Sequence, residues 1–274
     1  MKVHHINCGT MCPMLGKSMV HPSGKMVCHC LLIESAAGLI LVDTGLGLAE
    51  TAQRNLLPWR FTRIVRPLLD PAETAAEQVE RLGFARSDVR HIVATHLDVD
   101  HAGGLPDFPH AQIHVHELEH AAMLARAGGF ERQRYRPHHF AHGPQFQRYD
   151  GARGEPWFGF EAVELAHGLP PELLLIPLPG HSFGHCGVAV DRGRAGWLLH
   201  AGDAYFSAGE LAPTGKSRFG LRMFQRMADA DHRARLHNLS RLRELAASGQ
   251  VTMHSAHDPD ELAREQGEGS QTAA

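Results

Sequence analysis

The stretch THLDVDHAGG, residues 95–104, places His96, Asp98, Asp100 and His101 within six positions. Histidine nitrogens and carboxylate oxygens are the common ligands of zinc and of harder divalent ions, so this density points to metal chemistry. Alternate side chains of an extended segment point the same way, and His96 and Asp98 can therefore share one ion. A turn after them redirects Asp100 and His101 toward a second. Two close cations can hold a bridging hydroxide as nucleophile and polarise a carbonyl or phosphoryl oxygen. Such a pair needs further ligands, and His181 in PLPGHSFGH, Asp203 in LLHAGDAY and His257 in MHSAHDP stand where apolar runs end.

Strands must deliver these residues. VRHIVATH reads as a short buried strand that carries His96 to its C-terminal end, with the 100–104 turn immediately after. MVCHCLLIES, the turn AAG and LILVDTGLG read as a hairpin, its first strand ending near Glu34 and its second starting at Leu39. A helix is expected over 72–82, stopped by Gly83, then a strand at AQIHVH and a helix at ELEHAAMLARAGG. Residues 128–160 have no clean period and read as an insertion or covering loop. Its arginines either receive a substrate carboxylate or phosphate at the pocket, or are solvated on a loop packed by Tyr135, Phe140, Phe146, Trp157 and Phe158. Strands are expected again at FEAVELA, LLLIPLPGHS, CGVAVDRG and GWLLHAGDAY, then one long helix over about 218–247 and a strand at QVTMHSAH. Residues 1–264 make a single domain in this reading, and 265–274 a flexible, solvated tail.

The ordered set THLDVDHAGG, PGHSFGH, AGDAY and SAHDP, with LILVDTG upstream, resembles the metallo-β-lactamase-fold hydrolases over nearly all of residues 28–260. The resemblance implies an α+β fold, a four-layer αββα sandwich with metals at one edge between the two sheets. It also implies His96, Asp98 and His181 on a first ion, Asp100, His101 and His257 on a second, and Asp203 bridging them. The departure is Asp98, because the family pattern HxHxDH here reads HxDxDH. A carboxylate is a harder, anionic ligand; it raises the suitability of manganese or iron beside zinc and weakens the bound ion as a Lewis acid. Asp98 could instead support a ligand from behind. A related diiron branch carries glutamate at this position, but its oxygen-reducing enzymes need an attached flavodoxin-like domain, for which this chain has no length left. His254 rivals His257 for the last position, and the "HD" pair of the lactonase-like members favours His257.

SAHDP and PGHSFGH lean toward the lactonase-like branch. The expected function is a hydrolase using two divalent metal ions, zinc first, to cleave a small ester-like substrate, with a lactone at the head of the list. A metal-bridged hydroxide would attack the carbonyl, the metals and Tyr205 would stabilise the oxyanion, and Asp100 or a metal-bound water would help protonate the leaving alkoxide. Asp100, Asp203 and Tyr205 are thus the catalytic candidates, although in lactonase-like relatives the tyrosine stands one residue later. Alternatives are a thioesterase of the glyoxalase II type, a β-lactam hydrolase or, from another class, an iron-dependent redox or oxygen-binding protein.

The whole sequence agrees with a small-molecule enzyme. Its 274 residues are 43% hydrophobic, enough for a substantial core. A formal net charge of -3 gives no reason to expect nucleic acid or an anionic membrane as partner. No window approaches the roughly 20 apolar residues that span a bilayer, and a cytoplasmic protein is expected, with homo-oligomerisation left open. Five cysteines, an odd number, read as reduced thiols in core or loop positions. The 22 histidines exceed what one site uses. His185 and His200 are expected to brace loops, His116 and His120 to face solvent, and Asp43 to fix loop amides.

Overall fold

Along neighbouring strands Leu31, Ile33, Ile40, Val42 and Val93 alternate with Cys30, Leu32, Leu39, Leu41 and Ile92, and both sets are buried, in two separate apolar clusters. Strands that are apolar on both faces require cover on both, which sets the layering. The computed structural model describes residues 1–151, 154–166, 168–215 and 217–271. Strands β1 (Lys2–Met11), β2 (Met26–Ser35), β3 (Gly38–Val42), β4 (Val89–Val93), β5 (Gln112–His116) and β6 (Gln145–Tyr149) form one sheet in chain order. Strands β7 (Glu155–Trp157), β8 (Phe160–Glu164), β9 (Leu173–Pro177), β10 (Cys186–Asp191), β11 (Trp197–His200) and β12 (Val251–His254) form a second, in the order β12-β11-β10-β9-β8-β7.

The inner core joins Leu31, Ile33 and Val42 of the first sheet to Leu173, Val188 and Leu198 of the second. The helices are α1 (Gly16–Met19), α2 (Leu48–Ala52), α3 (Trp59–Ile64), α4 (Ala75–Arg81), α5 (Val99–Ala102), α6 (Glu117–Ala125), α7 (Glu131–Arg134), α8 (Phe219–Ala228), α9 (His232–Ser248) and α10 (Pro259–Gln271). Val79 of α4 and Met123 of α6 pack on the outer face of the first sheet, and Leu239, Leu242 and Leu245 of α9 on that of the second. The result is the four-layer αββα sandwich.

Both sheets bring antiparallel and parallel pairing to the same edge. β3 lies antiparallel to β2 and parallel to β4, and β11 antiparallel to β10 and parallel to β12. The C-terminal ends of β3, β4, β11 and β12 therefore open into the loops that carry the chemistry. Two glycines let these loops meet closely. A Cβ on Gly103 would lie 2.8 Å from the carbonyl oxygen of Gly45, and one on Gly202, at φ +53°, would lie 2.6 Å from His185 Nε2.

Four expectations need correction. The helix over 218–247 is two helices, interrupted at 229–231, because the Asp231 carboxylate accepts the amides of Arg233 and Ala234 and so caps α9. The amides of Ala230 and Asp231 are meanwhile drawn to the carbonyls of His181 and Gly180. The 128–160 stretch is not a loop throughout: it contains α7, an edge strand β6 paired in parallel with β5, and β7. Residues 265–271, expected as a tail, continue α10 with Glu265 buried, and 272–274 lie outside the described residues. The opening stretch, in which no element was expected, is the first sheet's edge strand β1. No helix among the described residues is long and apolar enough to cross a membrane.

Candidate metal centre

His96 leaves the end of β4, Asp98 precedes the short helix α5 that carries Asp100 and His101, and His181 sits in the β9–β10 loop. Asp203 follows β11 and His257 follows β12. These seven residues converge. Asp203 Oδ2 lies 3.3 Å from His181 Nε2 and 3.8 Å from His96 Nε2. Its Oδ1 lies 3.2 Å from His101 Nε2 and 3.1 Å from His257 Nε2. Asp98 Oδ2 is 3.1 Å from His181 Nε2 and 3.6 Å from His96 Nε2, while Asp100 Oδ2 is 3.8 Å from His257 Nε2. Ligand atoms about 2.0–2.2 Å from a tetrahedral ion stand roughly 3.4 Å apart, so these spacings fit a metal. His96 Nε2, His101 Nε2 and Asp203 Oδ1 are moreover buried with no hydrogen-bond partner among the described residues, which an ion would supply.

The opposite edge of each ring is held. His101 Nδ1–H donates to Asp43 Oδ2 at 2.8 Å. His96 Nδ1–H donates to Thr95 Oγ1 at 2.9 Å, and that hydroxyl donates to the same Asp43 oxygen. One carboxylate thus fixes two tautomers and aims both Nε2 lone pairs inward. Asp43 reaches this position from a left-handed backbone at φ 56°. His257 Nδ1–H donates to the Val27 carbonyl at 2.8 Å. His185 accepts the Asp203 amide on Nε2 and donates from Nδ1 to Leu178, while His200 accepts the Gly202 amide and donates to the His29 carbonyl.

Burial alone would raise the carboxylic acids. The histidines around Asp203 nevertheless hold it well below the usual carboxylate range, and Arg134 with His96 does the same for Asp98. Burial likewise opposes charge on His101, yet Asp203 and Asp43 push it well above the ordinary value. The centre opens into a cavity of about 660 Å³ whose walls include Met11, Met26, Phe61, Val65, Phe206 and Phe224.

The profile of the Metallo-beta-lactamase superfamily matches residues 23–254. The chain belongs to the metallo-β-lactamase superfamily. A probable metallo-hydrolase of Mycobacterium tuberculosis is 41% identical over 262 residues, 95% of this chain and 78% of the relative. The N-acyl homoserine lactonase of Bacillus thuringiensis is 26% identical over 179 residues, 65% of this chain and 64% of that enzyme. A solved N-acyl homoserine lactone hydrolase, with N-hexanoyl-L-homoserine at its catalytic metal center, superposes with a TM-score of 0.70 at 22% identity, covering 95% and 94% of the two chains. This metallo-β-lactamase-superfamily protein is a metallo-hydrolase, of a group that binds divalent metals, typically zinc.

Within this superfamily member the expected oxyanion donor is misplaced. Tyr205 is fully buried, donates to Glu261 Oε1 at 3.0 Å and does not line the cavity. Phe206, one residue later, lines the cavity, its ring centroid 4.7 Å from that of His257. His254 also lies apart from the seven: it stacks on His29 with centroids 4.0 Å apart and planes 21° apart, beside His5. His5, His29 and His254 thus form a separate cluster, their ligand nitrogens within 4.8 Å of one another. His116 and His120 do not come together as a pair; His116 Nδ1 accepts the Leu118 amide and caps α6, and His120 packs edge-on against Phe146. The five cysteines are free thiols, four of them buried.

Sequence reading missed Glu119. This fully buried carboxylate accepts the Leu97 amide and the Tyr135 hydroxyl on Oε1, and the Ser182 hydroxyl and Gly184 amide on Oε2. It therefore ties the loop of His96 and Asp98 to that of His181. Nothing in ELEHAAMLA distinguishes it from Glu117, the exposed acid of the same first turn. Glu50 is a second such clasp, accepting His138 and His139 Nε2 at 2.6 Å each and so fastening the covering segment to α2.

Proposed function

We propose that this hydrolase uses two divalent metal ions to open a lactone bearing an apolar arm. His96, Asp98 and His181 would hold one ion, Asp100, His101 and His257 the other, and Asp203 both. The observation that carries the reading is Asp203, around which four histidines converge: Oδ2 lies 3.3 and 3.8 Å from His181 and His96 Nε2, Oδ1 lies 3.2 Å from His101 Nε2, and His257 Nε2 stands 3.1–3.2 Å from both oxygens. When bound, the ions would supply an activated water and a Lewis acid for the carbonyl. Zinc is the expected ion, and the extra carboxylate of Asp98 gives manganese or iron a better footing beside it than a third imidazole would.

The chain's own residues do the rest. The apolar walls of Met11, Met26, Phe61 and Phe224 can hold an acyl arm and exclude bulk water from the reacting carbonyl. Asp100, which also lines the cavity, would pass a proton to the leaving alkoxide. With Tyr205 bonded to Glu261 and Phe206 at the wall, no tyrosine hydroxyl is offered from this turn, and stabilising the oxyanion would be left to the bound ions. The lactonases among the relatives support a lactone over other carbonyl substrates.

The test is to load metal-stripped protein with zinc or manganese and assay lactones, thioesters, β-lactams and phosphodiesters side by side. Metal-dependent hydrolysis fastest on a lactone with a medium-length acyl arm is expected. Turnover of phosphodiesters alone would refute the carbonyl assignment, and a thioester preferred over every lactone would refute the lactone.

A further inference from the structure

Exchanging histidine for Asp98 in the HxHxDH pattern replaces a neutral ligand with an anion, and a second residue answers that change. Arg134 Nε lies 3.1 Å from Asp98 Oδ1, with the arginine side chain only 4% exposed. The other carboxylate oxygen faces His181 and His96. Asp98 is therefore split, one oxygen toward the guanidinium and one toward the histidines. Arg134 is itself clamped: Nη1 donates to the His181 carbonyl at 3.1 Å and Nη2 to the Ala228 carbonyl at 2.6 Å. Its guanidinium also lies over the Phe130 ring, 5.1 Å from the centroid. Among the described residues no other arginine or lysine is within ion-pair distance of any of the seven converging residues.

We infer that Arg134 is a positioning residue that makes Asp98 a one-oxygen ligand and cancels the charge this aspartate adds, so that the first site keeps the net charge of a three-histidine site. The inference rests on the metal reading above. Its physical basis is that a buried carboxylate stripped of its cation is strongly disfavoured, and that a planar fork holding two carbonyls and a carboxylate cannot swing into solvent as a lysine could. Arg134 belongs to α7, so the segment that covers the cavity also supplies the counter-ion. Arg134 lines the cavity, yet each of its nitrogens already faces a partner inside the protein, Nη1 and Nη2 a carbonyl and Nε Asp98, so it is not a free anion receptor.

Reciprocal substitution tests this without assaying activity. Wild type, R134M, R134K, D98H and D98H/R134M are stripped, titrated with zinc and separately with manganese, and compared by elemental analysis and chelator competition. Wild type is expected to bind two equivalents. R134M should hold its first-site ion at least about tenfold more weakly, the usual effect of losing a group that orients a ligand. R134K should recover only part of that loss. D98H, which strands the arginine, should also bind weakly, and D98H/R134M should regain two tight equivalents with its preference shifted from manganese toward zinc. If R134M binds as tightly as wild type, or if the double variant binds no better than R134M, the inference fails. Should R134M not fold, the double variant carries the decision, and fewer than two tight equivalents in it would overturn the proposal. A wild type that binds no metal would instead refute the metal reading itself.

Discussion

Asp43 is the residue on which most of the centre's geometry depends, because its carboxylate fixes the Nδ1 protons of both His96 and His101. Asp43→Asn would keep the shape but offer an amide N–H where an acceptor is needed. Metal affinity measured by chelator competition should fall about 10–100-fold, with the fold intact by circular dichroism. Tyr205 is expected to behave as a structural residue: Y205F should leave kcat within about twofold and lower stability by about 1 kcal/mol in a urea titration, the value of one buried hydrogen bond. A loss of kcat of tenfold or more would return Tyr205 to the chemistry. All seven converging residues were legible in the sequence because ligand chemistry demands particular residue types at strand ends. The side on which His254 lies was not, since it is decided by packing against His29 and His5, which spacing along the chain does not reveal. Nor was the partner of Asp98, because Arg134 is 36 positions away in a segment without periodicity.

At the scale of elements, the strands that bear the site were readable from their apolar runs, since burial on both faces leaves few polar interruptions. β6 escaped because QFQRY is an edge strand with a single neighbour and largely polar positions. The break between α8 and α9 escaped because Asp-Ala-Asp has helix-compatible spacing; only docking on Gly180 and His181 makes the interruption necessary. The same reasoning gives Glu119 its weight, as it joins α6 to two loops at once. E119Q replaces an acceptor pair that receives four donors with a group that has only one acceptor oxygen. It should destabilise the protein by about 2 kcal/mol in chemical denaturation whether or not metal is present. An effect seen only with metal bound would mean that Glu119 acts on ion binding alone.

For the molecule as a whole, pH and metal are the two levers on stability. Burial, opposed by the Ser255 amide and reinforced by Asp258, pushes the Glu261 carboxyl up to about 7 from an ordinary 4.5. The folded state thus favours the protonated acid. The stability this contributes is fully present below about pH 4.5 and is lost as pH rises through 7, a swing of roughly 3 kcal/mol. In metal-stripped protein the Tm of wild type should fall between pH 5 and 8 more steeply than that of E261Q, and parallel curves would refute the shift. The centre gathers four histidines and three aspartates on loops from both sheets, so an ion bound there joins the two halves of the sandwich and acts only on the folded chain. The most direct test of the two-metal hydrolase is the rate of lactone hydrolysis as zinc is added stepwise to stripped protein. The account predicts no turnover without metal and a rise that saturates at two equivalents per chain; full activity without metal, or a plateau at one equivalent, would contradict it.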